Sequence, residues 1–186
     1  EDEPIRLAVW DLGGQDRFYP LHLLFLSSLG VYIVCFNMKD VLDEEKQHES
    51  FKFIRFWLQS ISIHTVGDGA DGNTSAPILL VGTHKDQVSG DADHRKVHEK
   101  LEAELKYCDA WKGIEWHENL KFFPVNNTLG QGDPVIASLM KKTNQLVRGQ
   151  EYLKRKVPLT WLKLFDDLSS EATVTKTASL EEVERR

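Results

Sequence analysis

The sequence predicts an α/β fold in which helices cover a mostly parallel sheet. Three apolar runs, at residues 31–36, 77–82 and 120–125, are separated by segments in which apolar residues recur at helical spacing. Unbroken apolar runs of this length are typical of strands buried on both faces, and parallel strands require crossover connections. With 186 residues, of which 41% are hydrophobic, the chain is long enough to bury a sizeable core.

The first half of the chain supplies two strands and two helices. Residues 5–10 form a β-type run that a Gly-Gly turn closes, and residues 17–29 have roughly helical spacing up to Gly30. After the strand at 31–36, Asp43 is a suitable cap for a helix to about Ile63. The apolar stripe of this helix comprises Phe51, Ile54, Trp57, Leu58 and Ile61. Residues 65–76, rich in Gly, Asp, Asn and Ser, predict an exposed loop.

The second half continues the alternation and then changes character. A polar helix is predicted at about 93–107, with Val97, Leu101 and Leu105 on its apolar side, and Asp133 or Pro134 opens another helix that extends through Val147. We divide the chain into a domain at 1–150 and a segment at 151–186. In that segment a new amphipathic helix begins at 159–165, and residues 169–186 are expected to be weakly ordered.

Charge and cysteine content exclude several classes of function. The net charge of −6 gives no general nucleic-acid footprint. Cys35 lies in an apolar run, which predicts a core residue. The chain has only two cysteines, far apart in sequence, and the lack of a disulfide pattern favours a reducing, cytoplasmic location. No run approaches the length of a membrane span. His94 and His98 are four residues apart but lack further ligands at suitable spacing, which makes a metal site between them improbable.

The stretch at residues 8–18 is the first candidate site, because Asp11 follows an apolar run and precedes Gly13, Gly14 and Gln15. A carboxylate at a strand end suits a metal ion, a glycine amide suits a terminal phosphate, and a glutamine side chain suits a water molecule. The same residues could also form an ordinary Asp-Gly turn.

Two further polar segments follow predicted strands. Thr83-His84-Lys85-Asp86 comes directly after the strand at 77–82, and Asn126 ends the strand at 120–125. Guanine presents two donors at its Watson–Crick edge, so a carboxylate such as Asp86 selects guanine over adenine. In open α/β sheets, ligands bind beyond the carboxyl ends of strands, where all three segments are expected.

Taken in order, these segments resemble the third, fourth and fifth nucleotide-binding motifs of the Ras-like GTPases over about residues 5–148. The resemblance implies that GTP or GDP and Mg²⁺ are bound. Asp11 would hold the ion through a water, Gly14 would meet the γ-phosphate, and Gln15 would orient the attacking water. Thr83, His84, Lys85 and Asp86 would bind the base. Asn126 replaces the usual Ser-Ala pair, so its assignment rests on position.

The motif variants and the Val157-Pro158-Leu159-Thr160-Trp161-Leu162 segment resemble the Roc domain and the start of the COR domain in Roc-COR proteins. The resemblance implies a multidomain signalling protein, often with leucine-rich repeats or a kinase, and a possible homodimer. The expected fold is therefore a doubly wound Ras-like GTPase domain that lacks its N-terminal strands and P-loop, followed by the beginning of a COR domain.

The phosphate-binding loop Gly-x-x-x-x-Gly-Lys-Ser/Thr does not occur in these residues. We therefore expect a fragment of a longer protein, with little nucleotide affinity of its own and GTPase activity only in the parent. The alternative is a nucleotide-independent scaffold or dimerisation module with a degenerate GTPase fold. A P-loop ATPase is disfavoured, because residues 11–15 lack an Asp-Glu pair and Asp86 suits guanine.

Overall fold

The structure, a computed structural model, describes residues 5, 7–13, 19, 23–65, 76–88, 90–150 and 163. The chain divides into two compact units, Glu1–Gly149 and Gln150–Arg186. All helices and strands given below belong to the first unit. The helix predicted at 159–165, apart from Lys163, and the tail at 169–186 lie outside the described residues, as does most of the loop predicted at 65–76.

The described residues contain a sheet of three parallel strands in the order β1 (Tyr32–Asn37), β2 (Ile78–Thr83) and β3 (Phe123–Pro124). The middle strand, β2, is buried along its length except at Thr83, which is partly exposed. The predicted α/β class with a parallel sheet is confirmed, and so is the prediction of a buried apolar strand at 77–82.

Helices connect the strands and cover both faces of β2. They are α1 (Met38–Leu42), α2 (Gln47–His64), α3 (Asp91–Leu105), α4 (Asp109–Lys112) and α5 (Pro134–Arg148), with 3-10 segments at Leu23–Phe25 and Asn127–Gly132. Alternate β2 residues face opposite sides. Ile78 and Leu80 pack with α2 and α3, whereas Leu79 and Val81 pack with α5. Helices on both faces of a parallel sheet define a doubly wound arrangement.

The predicted apolar stripes of the helices are confirmed. All five stripe residues of α2 are buried, and Val97, Leu101 and Leu105 of α3 are fully enclosed. Asp133 caps α5 as predicted, because its carboxylate accepts a hydrogen bond from Val135 N at 2.9 Å. The start of α2 differs from the prediction: Asp43 accepts from Glu45 N and closes a turn, so the helix begins at Gln47.

The strand predicted at residues 5–10 is wrong for the described residues. Residues 7–13 form neither strand nor helix, and the side chains of Val9 and Trp10 are 87% and 68% exposed. A strand needs a hydrogen-bonding neighbour, and β1 pairs only with β2 within the described sheet. The apolar composition of residues 5–10 therefore does not produce a strand in this structure.

The burial predicted for both faces of β1 is also wrong. Val34 and Phe36 enter the core with α2, whereas Ile33 and Cys35 on the opposite face are exposed. The apolar cluster beside α5 includes Leu79 and Val81 of β2 but neither of these residues. Cys35 is therefore not the core residue that its sequence context predicts.

Two other predicted elements are shorter than expected. Within residues 120–125, only Phe123–Pro124 form a strand. Leu120 pairs back with His117 instead of joining it, and beyond Pro124 a single bond from Val125 N to the Gly82 carbonyl oxygen continues the pairing. In the helix predicted at 17–29, Tyr19 is helical and Leu23–Phe25 form a 3-10 turn, but residues 26–30 are not helical, so the helix ends before Gly30; the other residues of the range lie outside the described ones. No helix among the described residues combines the length and apolarity needed to cross a lipid bilayer.

Candidate functional site

The site begins where β2 ends, at the turn formed by residues 83–88. The Thr83 hydroxyl donates to the Phe36 carbonyl oxygen at 3.0 Å, which joins the ends of β2 and β1. The His84 carbonyl oxygen accepts from the amides of Gln87 and Val88 and closes the turn. His84 has φ = 65°, a left-handed conformation that is uncommon for residues other than glycine. The turn is therefore fixed both internally and to the sheet.

Asp86 projects from this turn into solvent. Its residue is exposed, and no described side chain hydrogen-bonds or ion-pairs with its carboxylate. A carboxylate held on a fixed turn, with its acceptor oxygens unused by the described part of the chain, is available to a ligand that presents paired N–H donors.

Lys85 connects the turn to the next strand end. Its amide donates to the Val125 carbonyl oxygen at 3.3 Å, and its ammonium lies 3.4 Å from Asp133 Oδ1. The other carboxylate oxygen of Asp133 accepts from Asn126 N at 2.7 Å. The structure therefore brings together the predicted site residues Lys85 and Asn126 through one carboxylate that belongs to α5.

The loop after β3 is organised by its own asparagine. Asn126 Oδ1 accepts from both the amide and the hydroxyl of Thr128, at 3.0 and 2.7 Å. The backbone amide of Asn126 is used by Asp133, whereas Asn127 N makes no hydrogen bond with the described residues. A pocket of about 260 Å³ lies beside these loops and is lined by Lys85, Gly90, Asn126, Leu129, Asp133 and Pro134.

The charge of Asp133 is stabilised in the folded protein. Burial alone would raise the pKa of this carboxyl, but hydrogen bonds from the Asn126 and Val135 amides and the positive charge of Lys85 outweigh burial. The pKa of Asp133 consequently lies below its ordinary value. The carboxylate that connects the two loops is ionised at neutral pH.

The residues predicted to contact phosphate and metal are only partly described. Asp11 is exposed on the segment 7–13, and Gly14 and Gln15 lie outside the described residues. Asp11 lies close enough to β1 to act on Cys35. Although the residue is exposed at the surface, neighbouring atoms partly desolvate its thiol, and this, followed by the negative charge of Asp11, raises the pKa of Cys35. No described contact joins Asp11 to residues 83–86.

The described residues contain no cluster of three or more histidine, cysteine or carboxylate side chains that could hold a metal ion by themselves. His94 is buried and donates from Nε2 to the Val88 carbonyl oxygen at 3.0 Å. His98 Nδ1 accepts from the Lys121 amide at 3.2 Å. Both histidines therefore support the fold through hydrogen bonds of their own.

Sequence reasoning missed the connecting role of Asp133. Its position before Pro134 predicts a helix cap, and the cap is present. Nothing in the sequence indicates that the same carboxylate reaches Lys85, which lies 48 residues earlier. The free Asn127 amide was also missed, because only the arrangement of the folded loop decides which backbone amide is left over.

Comparison with known proteins gives a consistent family. The family model described as Ras of Complex, Roc, domain of DAPkinase matches residues 1–86. The probable serine/threonine-protein kinase pats1 of Dictyostelium discoideum is 33% identical over 171 residues, which are 92% of this chain and 4% of that protein. No solved structure matches the chain.

Other relatives place the similarity in the same group. The probable serine/threonine-protein kinase roco5 of Dictyostelium discoideum is 30% identical over 131 residues, 70% of this chain and 4% of that protein. The human Rho-related GTP-binding protein RhoV is 34% identical over 84 residues, 45% of this chain and 29% of that protein. The chain thus spans a small part, about 4%, of the two Dictyostelium kinases.

The doubly wound sheet, the polar turn at the end of its central strand, and these relatives agree with the resemblance found in the sequence. The chain therefore belongs to the Roc family of Ras-like GTPase domains.

Proposed function

We propose that this chain supplies the base-recognition and γ-phosphate-sensing residues of a guanine-nucleotide switch within a longer Roco protein. The observation that carries the proposal is the exposed Asp86 carboxylate on the turn that follows β2. β2 is the central strand of the described sheet, and ligands of open α/β sheets bind beyond the carboxyl ends of the strands.

The chemistry of the turn suits guanine. The Asp86 carboxylate would accept from N1–H and from the exocyclic amino group, and the Asn127 amide, which none of the described residues accepts from, would donate to the guanine carbonyl oxygen. Thr83, His84 and Lys85 hold the carboxylate in place through the contacts given above. Adenine presents no such pair of donors, so the Asp86 carboxylate would remain without hydrogen bonds, which costs about 1–3 kcal/mol of binding free energy.

The phosphate end of the nucleotide is assigned from the sequence pattern. Mg²⁺ supplies charge neutralisation at the phosphates when it is bound. It keeps several waters and takes one or two carboxylates together with phosphate oxygens, so a single exposed carboxylate such as Asp11 suits it. Gly14 would place its amide at the γ-phosphate, and Gln15 would orient the attacking water, as a glutamine does in Ras.

Nucleotide binding is proposed to require a phosphate-binding loop that precedes these residues in the longer protein. Base recognition alone cannot hold a triphosphate, because the backbone amides and the lysine of that loop provide the main phosphate contacts.

We also propose that residues 151–186 begin a COR domain. The pats1 match spans 171 of the 186 residues, so it includes more than half of that segment.

The wider assembly follows from the same proposal. The relatives named as kinases suggest that the longer protein carries a kinase, and the Roc-COR pattern suggests leucine-rich repeats, a COR-mediated homodimer and a cytoplasmic signalling role. Nucleotide state would then control the segment after Gln15 and, through it, contacts with the COR segment.

Calorimetry on two proteins tests the proposal: the 186-residue chain, and a longer form that includes a phosphate-binding loop upstream of Glu1. We expect the longer form to bind GDP with Mg²⁺ at micromolar concentration or below and to prefer GDP over ADP, and the chain alone to bind neither. Tight GDP binding by the chain alone would contradict the requirement for the loop. A longer form that binds no guanine nucleotide would instead support a nucleotide-independent docking module.

A further inference from the structure

The Asp133 side chain makes more contacts than a helix cap requires. The residue is 1% exposed, and its Oδ1 atom accepts from Val135 N at 2.9 Å, which is the capping bond of α5. A serine, threonine or asparagine would provide the same bond. The additional contacts use the second oxygen and the negative charge of the Asp133 carboxylate, and their partners lie outside α5.

Those additional contacts join two loops that come from different strands. Oδ2 accepts from Asn126 N at 2.7 Å, in the loop after β3, and Oδ1 lies 3.4 Å from the ammonium of Lys85, in the turn after β2. A buried carboxylate is costly unless it is paired and hydrogen-bonded, and here both loops supply the partners. The carboxylate that caps α5 thus joins the two loops, in addition to the backbone bond from Lys85 N to the Val125 carbonyl oxygen.

The bond to Asn126 has a consequence for the neighbouring residue. Because the Asn126 amide points at Asp133, the next amide along the chain, Asn127 N, is left without a partner among the described residues. The ion pair with Lys85 acts on the other side, since Lys85 is adjacent to Asp86. A single carboxylate therefore contacts the residues adjacent to the Asn127 amide and the Asp86 carboxylate, and Lys85, Asn126 and Asp133 all line the pocket.

We propose that Asp133 is a positioning residue for guanine recognition: by binding Asn126 N and Lys85 at once, it holds the Asn127 amide and the Asp86 carboxylate at the spacing of the guanine edge. This inference rests on the proposed function. Asp133 does not touch the base itself. Its removal changes the selectivity between bases more than the affinity for phosphates, which other residues hold.

The test uses Asp133→Ser, which retains a capping oxygen for Val135 and loses both loop contacts. One readout is hydrogen exchange of the Asn126 amide by NMR, which needs no nucleotide. The other is the ratio of GDP to ADP affinity in the longer, loop-containing form. We expect Asn126 to exchange at least about tenfold faster, and the affinity ratio to fall by about tenfold, which corresponds to 1.4 kcal/mol. The melting temperature should fall by only several degrees, because the Asn126 amide and Lys85 lose their acceptor while the cap of α5 is kept.

Lys85 variants separate the ion pair from the cap. Lys85→Met should lower the GDP-to-ADP ratio and leave the Asn126 amide protected, while Lys85→Arg, which keeps the positive charge, should recover the ratio. Asp93→Asn is the matched control, because Asp93 pairs with Lys96 on an exposed face of α3, away from these loops. It should change neither readout.

The outcomes distinguish this inference from the proposed function. If the unaltered protein lacks a guanine preference, the proposed function fails, and the guanine role of Asp133 fails with it. If the unaltered protein prefers guanine and Asp133→Ser keeps both that preference and slow Asn126 exchange, Asp133 is a helix cap only. Equal losses of GDP and ADP affinity would show a general structural role and would also overturn the inference.

Discussion

The Thr83 hydroxyl donates to the Phe36 carbonyl oxygen at 3.0 Å, at the point where β2 and β1 both end. This bond replaces a strand-to-strand contact that the backbone no longer provides beyond the paired residues Asn37 and Thr83. It keeps the turn that carries Asp86 against the sheet. The position of the proposed base-binding carboxylate thus depends on a side chain of the strand before it.

Replacing Thr83 by valine tests this relationship. Valine keeps the shape but removes the hydroxyl, so the Phe36 carbonyl oxygen loses a donor. We expect the free energy of unfolding to fall by about 1 kcal/mol in urea denaturation. Thr83→Ser, which keeps the hydroxyl, is the control and should lose clearly less. A Thr83→Val variant as stable as the unaltered protein would show that the hydroxyl bond does not stabilise the turn.

Gly82 allows β2 to pass close to two core side chains. A Cβ atom at this position would lie 2.6 Å from Met38 Cγ and 2.9 Å from Phe122 Cδ2. We therefore expect Gly82→Ala to destabilise the domain by about 1–3 kcal/mol through overpacking. Gly113→Ala is the matched control, since its nearest neighbour, the Ala110 carbonyl oxygen, is 3.7 Å away. The two midpoints of urea unfolding should separate, and similar midpoints would refute the packing argument.

Two histidines predict how stability depends on pH. The pKa values of His98 and His117 lie below the ordinary histidine value, chiefly because burial disfavours the charged ring, and His117 stacks on Phe123 at 4.6 Å. The unfolded chain therefore binds protons at higher pH than the folded protein does. Stability should fall as the pH decreases from about 7.5 to about 5. Melting temperatures across this range provide the measurement.

Asp133 changes stability in the same direction but in a lower pH range, and it serves as the internal contrast. Its pKa is lowered, so its ionised form stabilises the fold above the ordinary aspartate value of about 3.9, and this stabilisation is lost only as the pH falls below that value. His117→Gln should flatten the slope between about pH 7.5 and about pH 5, whereas Asp133→Asn should leave that slope unchanged. An unchanged slope in His117→Gln would assign the effect elsewhere.

Asp86→Asn tests the reading of the base. Xanthine carries an oxygen where guanine carries its exocyclic amino group, and an asparagine amide can donate to that oxygen. In the longer, loop-containing form we expect the preference for GDP over xanthosine diphosphate to fall by about 5- to 150-fold, the range that 1–3 kcal/mol produces. A preference that does not move would remove Asp86 from the base site. Asp91→Asn, on an exposed part of α3, supplies the control for loss of charge.

Gln15→Leu tests the hydrolysis assignment in the same longer form. Leucine occupies a similar volume but cannot orient a water, so GTP turnover should slow by at least about tenfold while GTP affinity stays within about twofold. Single-turnover hydrolysis and calorimetry measure the two quantities separately. Unchanged turnover would show that Gln15 does not position the attacking water.

The parts of the fold that sequence predicted well are those decided by local pattern. The unbroken apolar run at 77–82 became the buried central strand, and the stripes of α2 and α3 are buried as their spacing requires. The apolar run at 31–36 predicts burial of Ile33 and Cys35 just as strongly, yet both are exposed. Burial of a strand face also depends on which elements pack against it. Pattern predicts the tendency of a face to be buried, and neighbours decide the outcome.

The candidate site divides in the same way. Thr83 to Asp86 stand at a strand end because the apolar run stops there, so their position follows from the sequence. The connection between Lys85 and Asn126 through Asp133 brings in a lysine 48 residues before Asp133, which no local pattern encodes. Residues 14 and 15, which we propose act at the γ-phosphate, lie outside the described residues.

The alternation of β2 residues between two hydrophobic clusters bears on how the domain unfolds. Ile78 and Leu80 belong to the cluster with α2 and α3, whereas Leu79 and Val81 belong to the cluster with α5. The helices on either face of the sheet form two layers. If one layer separates, it exposes apolar side chains of β2, the same strand against which the other layer packs. We therefore expect the two layers to lose their structure in a single cooperative transition, with the amides of β2 the last to exchange with solvent.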